Sequence, residues 1–247
     1  MINSLKAEFR KLLTVRSTYI IMIISFLLSA VLIGFWIYGY KNVEHADISN
    51  GALSSAILAA VSTVGVFLSF VVILLVGHEY RYNTITYSLT SVNQRAKLFF
   101  AKYVALLAFA FAFTAFVAVS LWAMFYVGLS VAHVTPLAQH IDAWSVLWRS
   151  VVTIVGDISF AFIIVMILRS LIGAIAVVLL LPTTIESLLS LLLKDNTKYL
   201  PYTALGSLTN TTNAPGVTFG FSMAVVACYA IVGMVIAYLL FQKRDAN

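Results

Sequence analysis

Apolar residues run through this chain in six long blocks, and short polar segments separate them. The blocks cover residues 19–40, 52–77, 103–129, 144–168, 171–193 and 217–241. None alternates apolar and polar positions as a strand would. A helix rises about 1.5 Å per residue and a bilayer's hydrocarbon core is about 30 Å thick, so about 20 apolar residues cross it. Each block reaches that length. The pattern predicts an all-α polytopic membrane protein with six transmembrane helices.

A different pattern precedes the first block. Ile2, Leu5, Phe9, Leu12 and Leu13 recur at steps of three and four, and Lys6, Arg10, Lys11 and Thr14 fill the positions between. This spacing predicts an amphipathic helix within residues 1–18, lying at the headgroup level of the bilayer. The basic leader is followed by a block too long for a signal peptide's apolar core, so the block reads as a retained first span.

Composition agrees with the pattern. The chain is 62% apolar and 10% charged, where a soluble domain carries about 25% charged residues. Its net charge of +6 reports membrane orientation before it reports a nucleic-acid partner, and none is expected. With the N-terminus inside, eleven cations fall on the inner side: Lys6, Arg10, Lys11, Arg16, Arg81, Arg95, Lys97, Lys102, Arg169, Lys243 and Arg244. Four fall outside: Lys41, Arg149, Lys194 and Lys198. The bias predicts that both termini are cytoplasmic. The single cysteine, Cys228, reads as a small packed residue, and no intrachain disulfide is possible.

The most informative polar stretch spans about 78–102. Ile85, Leu89, Val92, Ala96 and Phe99 again recur at helical steps, which predicts a cytoplasmic helix broken near Ser91–Asn93. It is longer than a plain connector needs, and its charges suit docking of a cytoplasmic partner. On the other side, 130–143 holds His133, His140 and Asp142 without tight metal-ligand spacing. Segment 194–216 carries Pro201, Gly206, Pro215 and Gly216 among apolar patches, which predicts a dip back toward the membrane. Its Asn210-Thr211-Thr212 is a chance match to a glycosylation acceptor.

Two acids lie within blocks. Asp157 sits about 16 Å and Glu186 about 22 Å from the cytoplasmic ends of the fourth and fifth spans by helical rise. An ionised acid at mid-span costs about 2.5–3.5 kcal/mol or more, so both are expected to face protein or water. They read either as a polar lining of a path or titrating pair, or as a hydrogen-bonded clasp between helices. Pro182 is expected to kink the fifth helix, with Thr183 and Thr184 satisfying freed carbonyls. Arg149 and Arg169, near span ends, are expected to snorkel to headgroups.

Motifs of chemistry are missing. The chain has no GxxxxGK[ST] phosphate loop and no GxSxG elbow, and Tyr82 stands where the second histidine of a zinc-protease helix would follow His78-Glu79. No enzyme acting alone is expected, and no cofactor bound by this chain.

The opening Leu5-Lys6-Ala7-Glu8-Phe9-Arg10-Lys11-Leu12 and Val15-Arg16-Ser17-Thr18-Tyr19 resemble the start of bacterial ABC type-2 exporter permeases. So does Glu79-Tyr80-Arg81-Tyr82-Asn83-Thr84-Ile85, with Arg95 and Ala101-Lys102 entering the third span. Asn83 stands where that family commonly has Gly. The resemblance covers essentially the whole chain. It implies the transmembrane subunit of an ATP-driven exporter in the inner (plasma) membrane, moving a drug-like, peptide or antimicrobial substrate. It implies a second permease copy or sister permease, and separate P-loop ATPase subunits that carry ATP and Mg. Leu5, Glu8, Phe9, Arg10 and Leu12 would belong to an interface helix. Glu79, Arg81, Thr84 and Arg95 would couple the spans to the ATPase. Two other readings stay open from the residues: a proton-coupled transporter titrating Asp157 and Glu186, and a non-transporting membrane partner.

Overall fold

The computed structural model describes residues 2–41, 50–85, 87, 95–131, 143–209 and 217–243. Every regular element among them is helical, with no strand. The amphipathic α1 (Ile2–Thr14) leads into α2 (Arg16–Lys41), α3 (Asn50–Arg81), α4 (Arg95–Val131) and α5 (Ala143–Leu168). The fifth apolar block folds as α6 (Leu171–Leu180), a π-helical turn (Leu181–Ile185) and α7 (Glu186–Leu193). A 3-10 turn (Lys194–Tyr199) and the short α8 (Pro201–Ser207) precede α9 (Phe219–Lys243). Among the described residues, six helical stretches are long and apolar enough to cross a membrane. This is a multi-pass helical membrane protein.

α3 and α5 form the centre. Their most apolar stretches are 61% and 67% buried, against 17% for α2 and α9 and 11% for the fifth span. Close approach of the two central helices depends on Gly65, because a Cβ there would overlap the Asp157 carboxylate of α5. Ser69 of α3 also donates to the backbone carbonyl of Asp157, at 3.3 Å. The peripheral helices leave Ile20, Ile23, Leu27, Leu191 and Ile231 exposed. Helices apolar all round belong in lipid, where such a surface meets hydrocarbon.

Helices outlast the apolar blocks at one pole. α3 continues through His78-Glu79-Tyr80-Arg81 and ends there, and the turn that follows holds Asn83, whose φ of 52° is a left-handed conformation that asparagine tolerates. α4 starts at Arg95, eight residues before the apolar block. The segment expected at 78–102 therefore contributes both its ends to spanning helices. The expected break near Ser91–Asn93 lies outside the described residues, as do His133, His140, Asp142 and Asn210-Thr211-Thr212.

Pro182 acts as expected in kind. It cannot donate to the preceding turn, and the helix widens there into the π turn. The Thr183 hydroxyl donates to the Leu179 carbonyl at 2.6 Å. Beyond the turn, the chain comes back along α5. Ala204, Leu205 and Leu208 pack with Phe160 and Val226, and the Tyr202 ring lies 5.4 Å from that of Phe160.

Candidate functional site

Three elements meet at the pole where α3 ends and α4 begins. On α1, Glu8, Lys11 and Leu12 share one face, one helical turn apart. Leu12 is buried and Phe9 packs on the core, which fixes that face against the bundle. Glu79 lies in the last turn of α3, and Lys102 lies two turns into α4. The four charges converge. Glu79 Oε1 accepts from Lys102 Nζ at 2.6 Å and from Lys11 Nζ at 2.8 Å. Glu8 Oε1 accepts from Lys102 Nζ at 2.9 Å and from Lys11 Nζ at 3.0 Å.

The arrangement is electrically closed, with two carboxylates against two ammonium groups. That matters because the Lys102 side chain is only 2% exposed and the Glu79 side chain 9%. A buried ion is tolerated when opposite charges and hydrogen bonds surround it. Lys11, on the rim, keeps its proton above the ordinary value of 10.5. Burial disfavours its charge, and the charges and hydrogen bonds of Glu79 and Glu8 outweigh that effect. Glu79 Oε2 is buried and has no hydrogen-bond partner among the described residues. A cavity of about 20 Å³ lies beside the cluster, lined by its four charged residues with Leu75 and Leu106.

The same pole holds the ends of the other helices together. Arg169 occupies the turn between α5 and α6 with φ 51°. Its guanidinium lies 5.5 Å from the Tyr80 ring and donates to the Leu240 carbonyl of α9. Arg95 donates to the Gln242 carbonyl at 3.0 Å. Two arginines thus cap carbonyls that the end of α9 leaves without helical partners. Beneath them, the Phe99 ring of α4 meets those of Phe162 and Tyr238 edge-on and that of Phe241 at a tilt, with centroids 5.2–5.7 Å apart.

The other buried acids sit elsewhere. Glu186 Oε1 accepts from the Tyr202 amide at 2.8 Å, and Oε2 accepts from the Thr203 amide at 2.6 Å and its hydroxyl at 2.7 Å. Its carboxylate therefore closes the start of α8. Asp157 sits over Gly65, and no hydrogen bond joins it to Glu186 among the described residues. Of the two readings open for this pair, the hydrogen bonds among the described residues show a clasp from Glu186, made to the short α8 and not to α5. Pro201 at the first helical position was the sequence signal for that helix start. Arg149 donates to the Leu208 carbonyl at 3.1 Å and lies 4.9 Å from the Phe219 ring. It and Arg169 are held by protein carbonyls, where snorkelling was expected.

Of the residues singled out for coupling, Glu79 faces inward, while Arg81 and Thr84 are exposed and Arg95 reaches across to α9. Among the interface-helix residues, Leu12 is buried, Leu5, Glu8 and Phe9 are half-buried and Arg10 is exposed. Lys11 and Lys102, which the sequence offers as inner-side charges and within the motifs of the resemblance but not as site residues, complete the cluster. No group of three or more His, Cys, Asp or Glu gathers among the described residues. What the cluster can do is mechanical: α1 cannot shift along its axis without pulling the ends of α3 and α4.

A multi-pass helical membrane protein with its N-terminal helix tied by charge to the bundle is the class this architecture defines. Residues 18–246 match the family model DUF2705, described as a protein of unknown function, and the chain belongs to that family. No curated protein matches it.

Proposed function

We propose that this protein is the transmembrane permease subunit of an ATP-driven ABC exporter. It would work with a second permease copy or sister permease and with separate P-loop ATPase subunits that carry ATP and Mg. The observation that carries the proposal is the four-charge link from Glu8 and Lys11 to Glu79 and Lys102. It makes α1 and the ends of two spanning helices one body. A push from an ATPase on the segment between α3 and α4 would then move both helices and α1 together. The resemblance at Leu5–Leu12 and Glu79–Ile85 supports the same reading. The eleven-to-four distribution of cations supports placing this pole, and both termini, on the cytoplasmic side of the plasma membrane. Arg81 and Thr84, exposed beside the link, are the coupling residues. Glu79 would transmit movement from within and make no contact with the ATPase.

Gentle detergent purification of the tagged protein from its host tests this. A co-purifying P-loop ATPase, lost on Arg81→Ala/Thr84→Ala with the protein still folded, is the expected result. Absence of any ATPase from the folded wild-type protein would overturn it and favour transport driven by Asp157.

A further inference from the structure

In the sequence, the segments on the two sides of the spans differ in how their charge is compensated. Those on one side hold Lys6, Arg10, Lys11, Arg16, Arg81, Arg95, Lys97, Lys102, Arg169, Lys243 and Arg244, against the acids Glu8, Glu79 and Asp245. Those on the other hold Lys41, Arg149, Lys194 and Lys198, against Glu44, Asp47, Asp142 and Asp195. The second side balances by itself. At the first, Lys11 and Lys102 engage both described acids. Excess positive charge is left on the surface.

α1 concentrates that excess at one place. Lys6 and Arg10 stand one turn apart on the face turned away from Glu8 and Leu12, and both are exposed. They line an open groove with Ala7, Lys11 and Thr14. Leu13, 55% exposed, borders the same face. Its carbonyl accepts from the Tyr19 hydroxyl at 2.6 Å, and exposed Tyr19, Ile20, Ile23 and Leu27 continue from there along α2. The basic groove is therefore continuous with a surface built for acyl chains.

We propose that the groove at Lys6 and Arg10 is a binding site for an anionic phospholipid. The lipid phosphate bridges the two cations, and its chains lie along Leu13 and the exposed face of α2. A guanidinium and an ammonium four residues apart offer several donors to one phosphate, and the uncompensated pole selects for net negative headgroups. The proposal does not depend on any transport activity.

The test is native mass spectrometry of the full-length, detergent-purified protein given an equal mixture of phosphatidylglycerol and phosphatidylcholine. The expected result is preferential retention of phosphatidylglycerol. Lys6→Ala/Arg10→Ala should reduce that preference by about 30-fold at low ionic strength, and less in salt. Lys6→Arg/Arg10→Lys should retain it, and Lys194→Ala/Lys198→Ala at the balanced pole should leave it unchanged. Equal retention of the two lipids by the wild-type protein would overturn the proposal. So would a preference that survives the double alanine variant, or one that Lys6→Arg/Arg10→Lys abolishes. An acidic protein that binds through Lys6 and Arg10, with lipid preference unaffected by their removal, would replace the lipid as occupant.

Discussion

Glu79 is bonded by two ammonium groups that reach it from α1 and α4. Glu186 is bonded by two backbone amides and one hydroxyl, all from α8. Both carboxylates are buried, and their positions on helices explain the difference. Glu79 lies in the last turn of α3, where aligned peptide dipoles present partial negative charge. A carboxylate there needs cations, and none is in its own helix facing it. Glu186 meets the first turn of α8, where the dipole is positive and free amides point outward. There backbone alone suffices. One pole therefore fastens distant parts of the chain to each other, while the other fastens a turn to its neighbour sixteen residues away.

The comparison can be broken most forcefully at Glu79. Glu79→Ala leaves Lys102 buried with Glu8 as its one remaining partner in the cluster. Loss of one member of a buried ion pair costs about 3–5 kcal/mol, and thermal unfolding in detergent should register a drop of that order. Glu79→Gln should lose nearly as much, because an amide cannot neutralise Lys102. A Gln variant as stable as wild type would show that hydrogen bonding, and not charge, holds this pole.

Glu186→Ala should cost less, about 1–3 kcal/mol, since it strands two amides and removes no counter-charge. Here Glu186→Gln should recover part of the loss, because its carbonyl still accepts from one amide. The contrast between the two Gln variants is the sharpest reading of the two mechanisms. The Glu79→Ala/Glu186→Ala double variant should show additive losses within about 0.5 kcal/mol, because the sites share no partner.

A smaller effect distinguishes the poles by pH. Lys11 holds its proton more tightly in the folded protein than in the unfolded chain. Its contribution is therefore full below the ordinary value of 10.5 and is lost as pH rises through the higher folded value. Protection of α1 amides should persist up to that pH and fall beyond it. Lys11→Met should remove the alkaline transition and leave α8 unaffected.

The smallest effect concerns Glu79 Oε2. A buried oxygen beside a cavity of about 20 Å³ has room for one water, which the lysines and Glu8 can help to hold. High-resolution density should contain a solvent peak within hydrogen-bonding distance of Oε2.

The six spans were legible because length and apolarity are properties of a local window, and lipid permits few alternatives. The amphipathic face of α1 was legible for the same reason, as was the disruption at Pro182. The cluster was not. Lys102 stands 94 residues from Glu8 and 23 from Glu79, and no periodicity links them. In sequence Lys102 reads as an inner-side charge within the resembling motif and Glu79 as a coupling residue, and nothing joins the two. Only the meeting of three helices turns both inward. Glu186 reads from sequence as an intramembrane acid that could approach Asp157 by depth along its helix. The amides that bind it belong to a helix start 16 residues on, marked in sequence by Pro201, and no local window links the two.

The π turn at Leu181–Ile185 sets the phase of everything after it. Each residue advances an α-helix by about 100°, and a π turn contains one residue more than an α turn. Deleting Thr184 would restore ordinary winding and leave Glu186 near its present angle, still facing Tyr202 and Thr203. Forcing α winding on all five residues of the turn would instead swing Glu186 about a quarter-turn away from them. The π turn thus absorbs one surplus residue of the fifth span while keeping α7 in register with α8.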